Sequence, residues 1–126
     1  MVLNTFWLWV AAALNAATLL AHIFVGGRYI ARPLLKSEMH SVAKFTNYFC
    51  WHMVTITLLG TSASFALAAQ YKSAWELGVL ATALSIGFCL LNLLIVVVKK
   101  QRFLFMPQWS FFLLISIAAV MSIWAA

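Results

Sequence analysis

Four long stretches of the chain, residues 1–27, 45–71, 77–98 and 103–126, contain no Asp, Glu, Lys or Arg. A helix needs about 20 apolar residues to cross a bilayer, and every stretch is long enough. The apolar residues lie on all sides of a helical projection, and small or polar residues interrupt them at alternating steps of four and three. That pattern predicts helices that face lipid on most sides and protein on one. The predicted spans are about 5–25, 45–69, 75–98 and 107–125. Gly26-Gly27 is expected to end the first or to let it pack closely, and Pro33 to bend the chain at Arg32. Ser37 with Glu38 reads as a helix restart, and Pro107 fits the first turn of the last helix. The fold class expected is therefore an all-α membrane protein: a four-transmembrane-helix bundle, with residues 1–126 forming one domain. The first stretch lacks the positive flank of a cleaved signal peptide and reads as a retained helix.

The interrupting residues share faces. Asn4, Leu8, Ala11, Asn15, Thr18 and His22 align on the first span. Tyr48, His52, Thr55, Leu59, Ser62 and Ala66 align on the second, and Gly78, Thr82, Ser85, Cys89, Asn92 and Val96 on the third. The last span offers only Ser116 and Ala119 on a common face. The first three faces are expected to meet inside the bundle, because a polar side chain turned to hydrocarbon is unfavourable. His22, His52 and Asn92 each lie six or seven residues from the end of their stretch. At 1.5 Å per residue, all three come at one depth of about 10 Å. Thr18, Thr55 and Cys89 form the next layer, at about 15 Å.

Composition sharpens this picture. The chain is 66% hydrophobic and 8% charged, against roughly 25% charged in soluble domains. A soluble single-core domain, a disordered chain and a nucleic-acid binder are excluded. Seven of the eight cations fall in two alternate connections: Arg28, Arg32, Lys36 and Lys44 in one, Lys99, Lys100 and Arg102 in the other. Lys72 stands alone between them. Positive loops stay cytoplasmic, so both termini are expected on the non-cytoplasmic side, with a bacterial inner membrane as the location. Trp7, Trp9, Tyr71, Trp75 and Trp124 then fall near the outer interface, and Tyr29 and Trp109 near the inner one.

The two acids, Glu38 and Glu76, stand far apart in the pattern. Paired-carboxylate chemistry is thereby set aside: a di-iron site, a carboxylate-driven antiporter of the small multidrug type, a glycosidase pair. No phosphate-binding glycine loop and no Cys-x-x-Cys motif is present. What remains is a polar site in the cytoplasmic half built from His22, His52 and Asn92, surrounded by Thr18, Thr55 and Tyr48. Arg28 and Arg32 would meet anionic groups of its ligand. Two imidazoles from different helices suit the axial positions of a haem iron; a quinone or another small amphipathic ligand is the other occupant considered. His22, His52 and Cys89 make a candidate three-ligand metal set. His40 falls in a connection and is expected to be solvated. Two other readings compete. In one, the chain is a non-catalytic accessory subunit of a membrane complex, and its small polar residues are interhelical hydrogen-bond partners worth about 0.6 kcal/mol each. In the other, it is a small transporter that couples to protons through its histidines. The partners expected are the lipid bilayer, a small amphipathic ligand, and membrane-protein subunits or further copies of the chain. The pattern names no reaction.

Overall fold

The structure, a computed structural model, describes residues 2–125 and contains no strand among them. The Asn4 side chain accepts the Trp7 N–H at 3.3 Å and caps α1, Thr5–Ala21. The helix does not stop at Gly26-Gly27. It widens into a π-helix over His22–Ala31 and returns to an α-helix, α2, over Arg32–Lys36. The result is one continuous helical stretch, Thr5–Lys36, of 32 residues. The helix thus does not end at Gly26-Gly27, one of the two roles expected for that pair, and it runs on through Arg32, where Pro33 leads one to expect a bend. Pro33, which has no N–H to donate, sits just where the bonding register changes, and the Arg32 N–H still donates to the Gly27 carbonyl. Ser37 closes α2 rather than opening the next helix, since its backbone is extended and its Oγ donates to the Leu34 carbonyl at 2.7 Å. α3 then runs Ser41–Gln70, entered from His40. A 3-10 turn, Lys72–Ala74, leads into α4, Trp75–Val98, and α5 covers Gln108–Trp124.

Thr5–Lys36, Ser41–Gln70 and Lys72–Val98 are each long and apolar enough to cross a membrane. α5 is apolar but shorter, with 17 residues. α1 packs on α3 and α5, and α4 packs on the same two helices, so α1 and α4 lie across the bundle from one another. Successive helices run in opposite directions. Asn15 meets Thr61 and His22 meets Thr55, Gly78 faces Ala68, and Phe88 faces Phe112. The start of α1 is tied to the end of α5: the Asn4 N–H donates to the Ser122 carbonyl at 2.8 Å, and Asn4 Nδ2 to the Ala125 carbonyl at 3.0 Å. Both described chain ends therefore lie at the same end of the bundle. The main apolar core, with Leu8, Ala11, Phe65, Ala81, Ile115 and Ala119, also lies toward that end.

The polar face read from α4 is buried or half-buried along its length, from Gly78 through Thr82, Ser85 and Cys89 to Val96. α3 is turned by about one residue from the face read in its sequence. Its buried positions are Leu58, Thr61, Phe65 and Ala68, whereas Leu59 is 60% exposed and His52 is exposed. Polarity misleads here because hydroxyls can satisfy themselves on their own helix. Thr57 and Ser64 donate to the carbonyls of Met53 and Gly60, both at 2.8 Å, and need no protein neighbour. Bulk decides the orientation instead, through the fully buried Phe65 ring.

Candidate functional site

The seam between α1 and α3 carries two polar contacts of different character. At mid-bundle, Asn15 is fully buried. Its Nδ2 donates to the Leu58 carbonyl at 2.9 Å and lies 2.7 Å from Thr61 Oγ1 and 2.9 Å from Ser62 Oγ. Three acceptors for two hydrogens saturate the amide nitrogen and clamp two helices together, while the buried Oδ1 has no partner. Thr18, one turn further along, is buried and donates to its own Leu14 carbonyl. Both residues join helices or satisfy themselves, which is the packing role small polar side chains take in lipid.

His22 differs. It opens the π-helix, is only half-buried, and its ring stacks on Trp51 with centroids 3.8 Å apart and planes 18° from parallel. Its Nε2 lies 3.2 Å from the Trp51 carbonyl and 3.1 Å from Thr55 Oγ1. A carbonyl only accepts, so Nε2 carries the hydrogen in the neutral ring, and Nδ1 is left as the acceptor. The stack needs Gly26: a Cβ there would lie 2.5 Å from the Trp51 ring. The π-helix and one glycine thus let an indole reach in from α3 and hold an imidazole flat.

His52 lies on the exposed flank of α3, and the Tyr48 ring meets it edge to face at 4.6 Å. Arg28 and Arg32 are exposed beyond the site, and the Arg28 guanidinium lies 5.5 Å from the Tyr29 ring centre. His40 is exposed in the connection between α2 and α3.

Asn92 and Cys89 are placed elsewhere. Asn92 Oδ1 accepts the Trp109 N–H at 3.0 Å, and Cys89 Sγ lies 3.4 Å from the Trp109 carbonyl. Both therefore serve the first turn of α5, whose own N-cap, Pro107, supplies no side-chain bond. Asn92 acts as a cap lent by a neighbouring helix. Among the described residues no group of three His, Cys, Asp or Glu is arranged to hold a metal ion, so the set His22, His52 and Cys89 is not assembled. α4 stands across the bundle from α1, so a matching depth expected from residue counts does not bring its residues to His22.

Sequence reasoning missed Trp51, the ring that approaches Gly26, although the Gly26-Gly27 pair was one expected place of close packing. Trp51 is one residue from His52 and falls off the polar face read in α3, yet both its ring and its carbonyl engage His22. The available signal was an aromatic ring on α3 near the level of a glycine pair on α1. The chain matches no protein-family model, no curated protein and no solved structure.

Proposed function

We propose that the protein is a four-span integral membrane protein that binds a planar amphipathic ligand of the quinone class at His22, in its cytoplasmic half. Both chain ends lie on the non-cytoplasmic side in this reading, and the membrane is a bacterial inner membrane. The side of the cations supports the orientation, since Arg28, Arg32, Lys36 and Lys44 and the 99–107 connection lie at the end of the bundle opposite Asn4. One observation supports the ligand class above all: an imidazole held flat against an indole, half-open at a helix seam, with a second imidazole exposed beside it. Flat apolar surface together with hydrogen-bonding nitrogens suits a ring that carries oxygens at its edge. His22 Nδ1 would accept from a hydroxyl of the reduced ring, while His52 and Tyr48 would line the way in from lipid.

Haem fits less well. His22 Nε2 is directed at the α3 backbone and Thr55, and the ring face is covered by Trp51. Proton-coupled transport has no chain of titratable groups through the bundle to support it among the described residues. The accessory-subunit reading draws support from Asn15 and Asn92, whose bonds join helices.

The test is titration of a short-chain benzoquinone into the protein in nanodiscs, read by quenching of tryptophan emission. Saturable quenching that His22→Ala abolishes, with insertion intact, is expected. Gly26→Ala, which drives a methyl into the Trp51 ring, is expected to weaken it too. Quenching that rises without saturation, and equally in the parent and both variants, would overturn the ligand reading and leave the accessory subunit.

A further inference from the structure

The connection from α4 to α5 is ordered, cationic and apolar at once. α4 closes with the Lys100 N–H on the Val97 carbonyl at 3.1 Å and the Gln101 N–H on the Val96 carbonyl at 2.8 Å. This nested pair of bonds places its last residue in the left-handed region, which glycine ordinarily fills without strain. Here that residue is Lys100, at φ 50°. A glycine would close the same turn more easily, so what the lysine adds is its charge.

The next turn is just as defined. The Arg102 carbonyl accepts the Phe105 N–H at 2.9 Å, and Trp109 Nε1 donates to the Phe103 carbonyl at 3.4 Å, with the Phe103 and Trp109 rings edge to face. The tip held in this way presents three large apolar side chains. Leu104 is 89% exposed and Phe105 74%, Phe103 is also exposed, and the Arg102 guanidinium sits 5.5 Å from the Phe105 ring centre. Such a tip is unfavourable in water. Helix lengths supply the alternative. α5 with its 17 residues measures about 25 Å, short of the roughly 30 Å hydrocarbon layer, whereas α4 with 24 measures about 36 Å. The chain thus leaves the layer at the end of α4, turns, and is back at the acyl boundary before α5 begins.

We propose that residues 99–107 form an acidic-phospholipid site, with Phe103, Leu104 and Phe105 seated at the headgroup–acyl boundary and Lys99, Lys100 and Arg102 holding headgroup phosphates. The occupant is a lipid of the protein's own bilayer. Apolar side chains flanked by cations match an anionic headgroup above acyl chains, and the bonded turns leave few backbone groups to desolvate. The inference rests on the bundle crossing a membrane and is independent of any ligand at His22, so quinone binding fails or holds separately from it.

The experiment uses the full chain with Cys50 and Cys89 replaced by Ser and Leu104 by Cys, the new thiol carrying a polarity-sensitive dye. The protein is reconstituted in phosphatidylcholine vesicles with and without phosphatidylglycerol. Expected are blue-shifted emission, quenching by lipids spin-labelled near the headgroup, and phosphatidylglycerol that stays bound through purification. Removing cations with Lys99→Gln, Lys100→Gln and Arg102→Gln should weaken that retention about fivefold per charge. Lys100→Gly relaxes the backbone while removing one charge, so it folds at least as well and should still lose lipid. Emission typical of water and untouched by the spin labels, or equal lipid retention in every variant, would overturn the proposal. So would a dye that turns apolar only when a soluble protein is added.

Discussion

The two ends of the bundle are packed by different rules. Near the chain ends, small residues bring the helices close: a Cβ on Gly78 would lie 3.1 Å from both Ala68 Cβ and Leu3 Cδ1. Leu8, Phe65 and Ile115 are sealed there, and one backbone and one side-chain hydrogen bond from Asn4 join the start of α1 to the end of α5. At the cationic end, α1 loosens into a π-helix, two aromatic–imidazole pairs replace aliphatic packing, and Phe45, Phe49 and His52 stay exposed. In lipid no hydrophobic force drives helices together, so close contact of small residues must do it. One end invests in that contact. The other leaves rings and nitrogens exposed, and it is at this end that ligand binding is proposed.

Substitutions graded along the molecule sharpen the contrast. Phe65→Ala empties the tight end, and the cavity left behind should lower stability by about 3–5 kcal/mol. Unfolding of the purified protein in mixed micelles by added SDS reads this; a change as small as that of a surface residue would erase the distinction between the ends. Asn15→Leu, at the middle, removes the clamp on Leu58, Thr61 and Ser62. It should lower stability by about 1–2 kcal/mol, the upper range for such bonds in membranes, in the same assay. Lys100→Gly, at the open end, should change the sign. Releasing a left-handed lysine should raise stability by roughly 0.5–1 kcal/mol, seen as a later SDS midpoint. A loss there would mean that Lys100 is fixed by contacts rather than strained.

The helices and their alternation are readable in the sequence because charge punctuates the chain so clearly. α4 also shows its buried face, since Gly78, Thr82, Ser85 and Cys89 are small as well as polar and size and polarity agree. α3 does not. Thr57 and Ser64 bond to their own backbone, and Phe65 rather than any polar residue sets which side turns inward. Of the candidate site, His22 and Thr55 come together. Asn92 and Cys89 do not join them, because a shared depth says nothing about which helices are neighbours. Trp51 was hidden for a further reason: its contribution depends on a π-helix, and hydrophobic periodicity carries no sign of a widened register. Gly26-Gly27 reads equally as a helix end or a place of close packing, and it is the packing that the Trp51 ring makes use of.

The bonds from Asn4 to Ser122 and Ala125 turn the bundle into a lever. α1 and α5 are pinned at one end, and the pin lies beside the tightest packing. Any rotation about it leaves that end still and grows in displacement along the helix. Over the roughly 25 Å of α1, a tilt of about 5° moves the far end by about 2 Å, close to the radius of an atom with its van der Waals shell. Such a tilt displaces Leu8 and Phe65 least and reaches furthest at the seam of His22, beyond the Asn15 clamp.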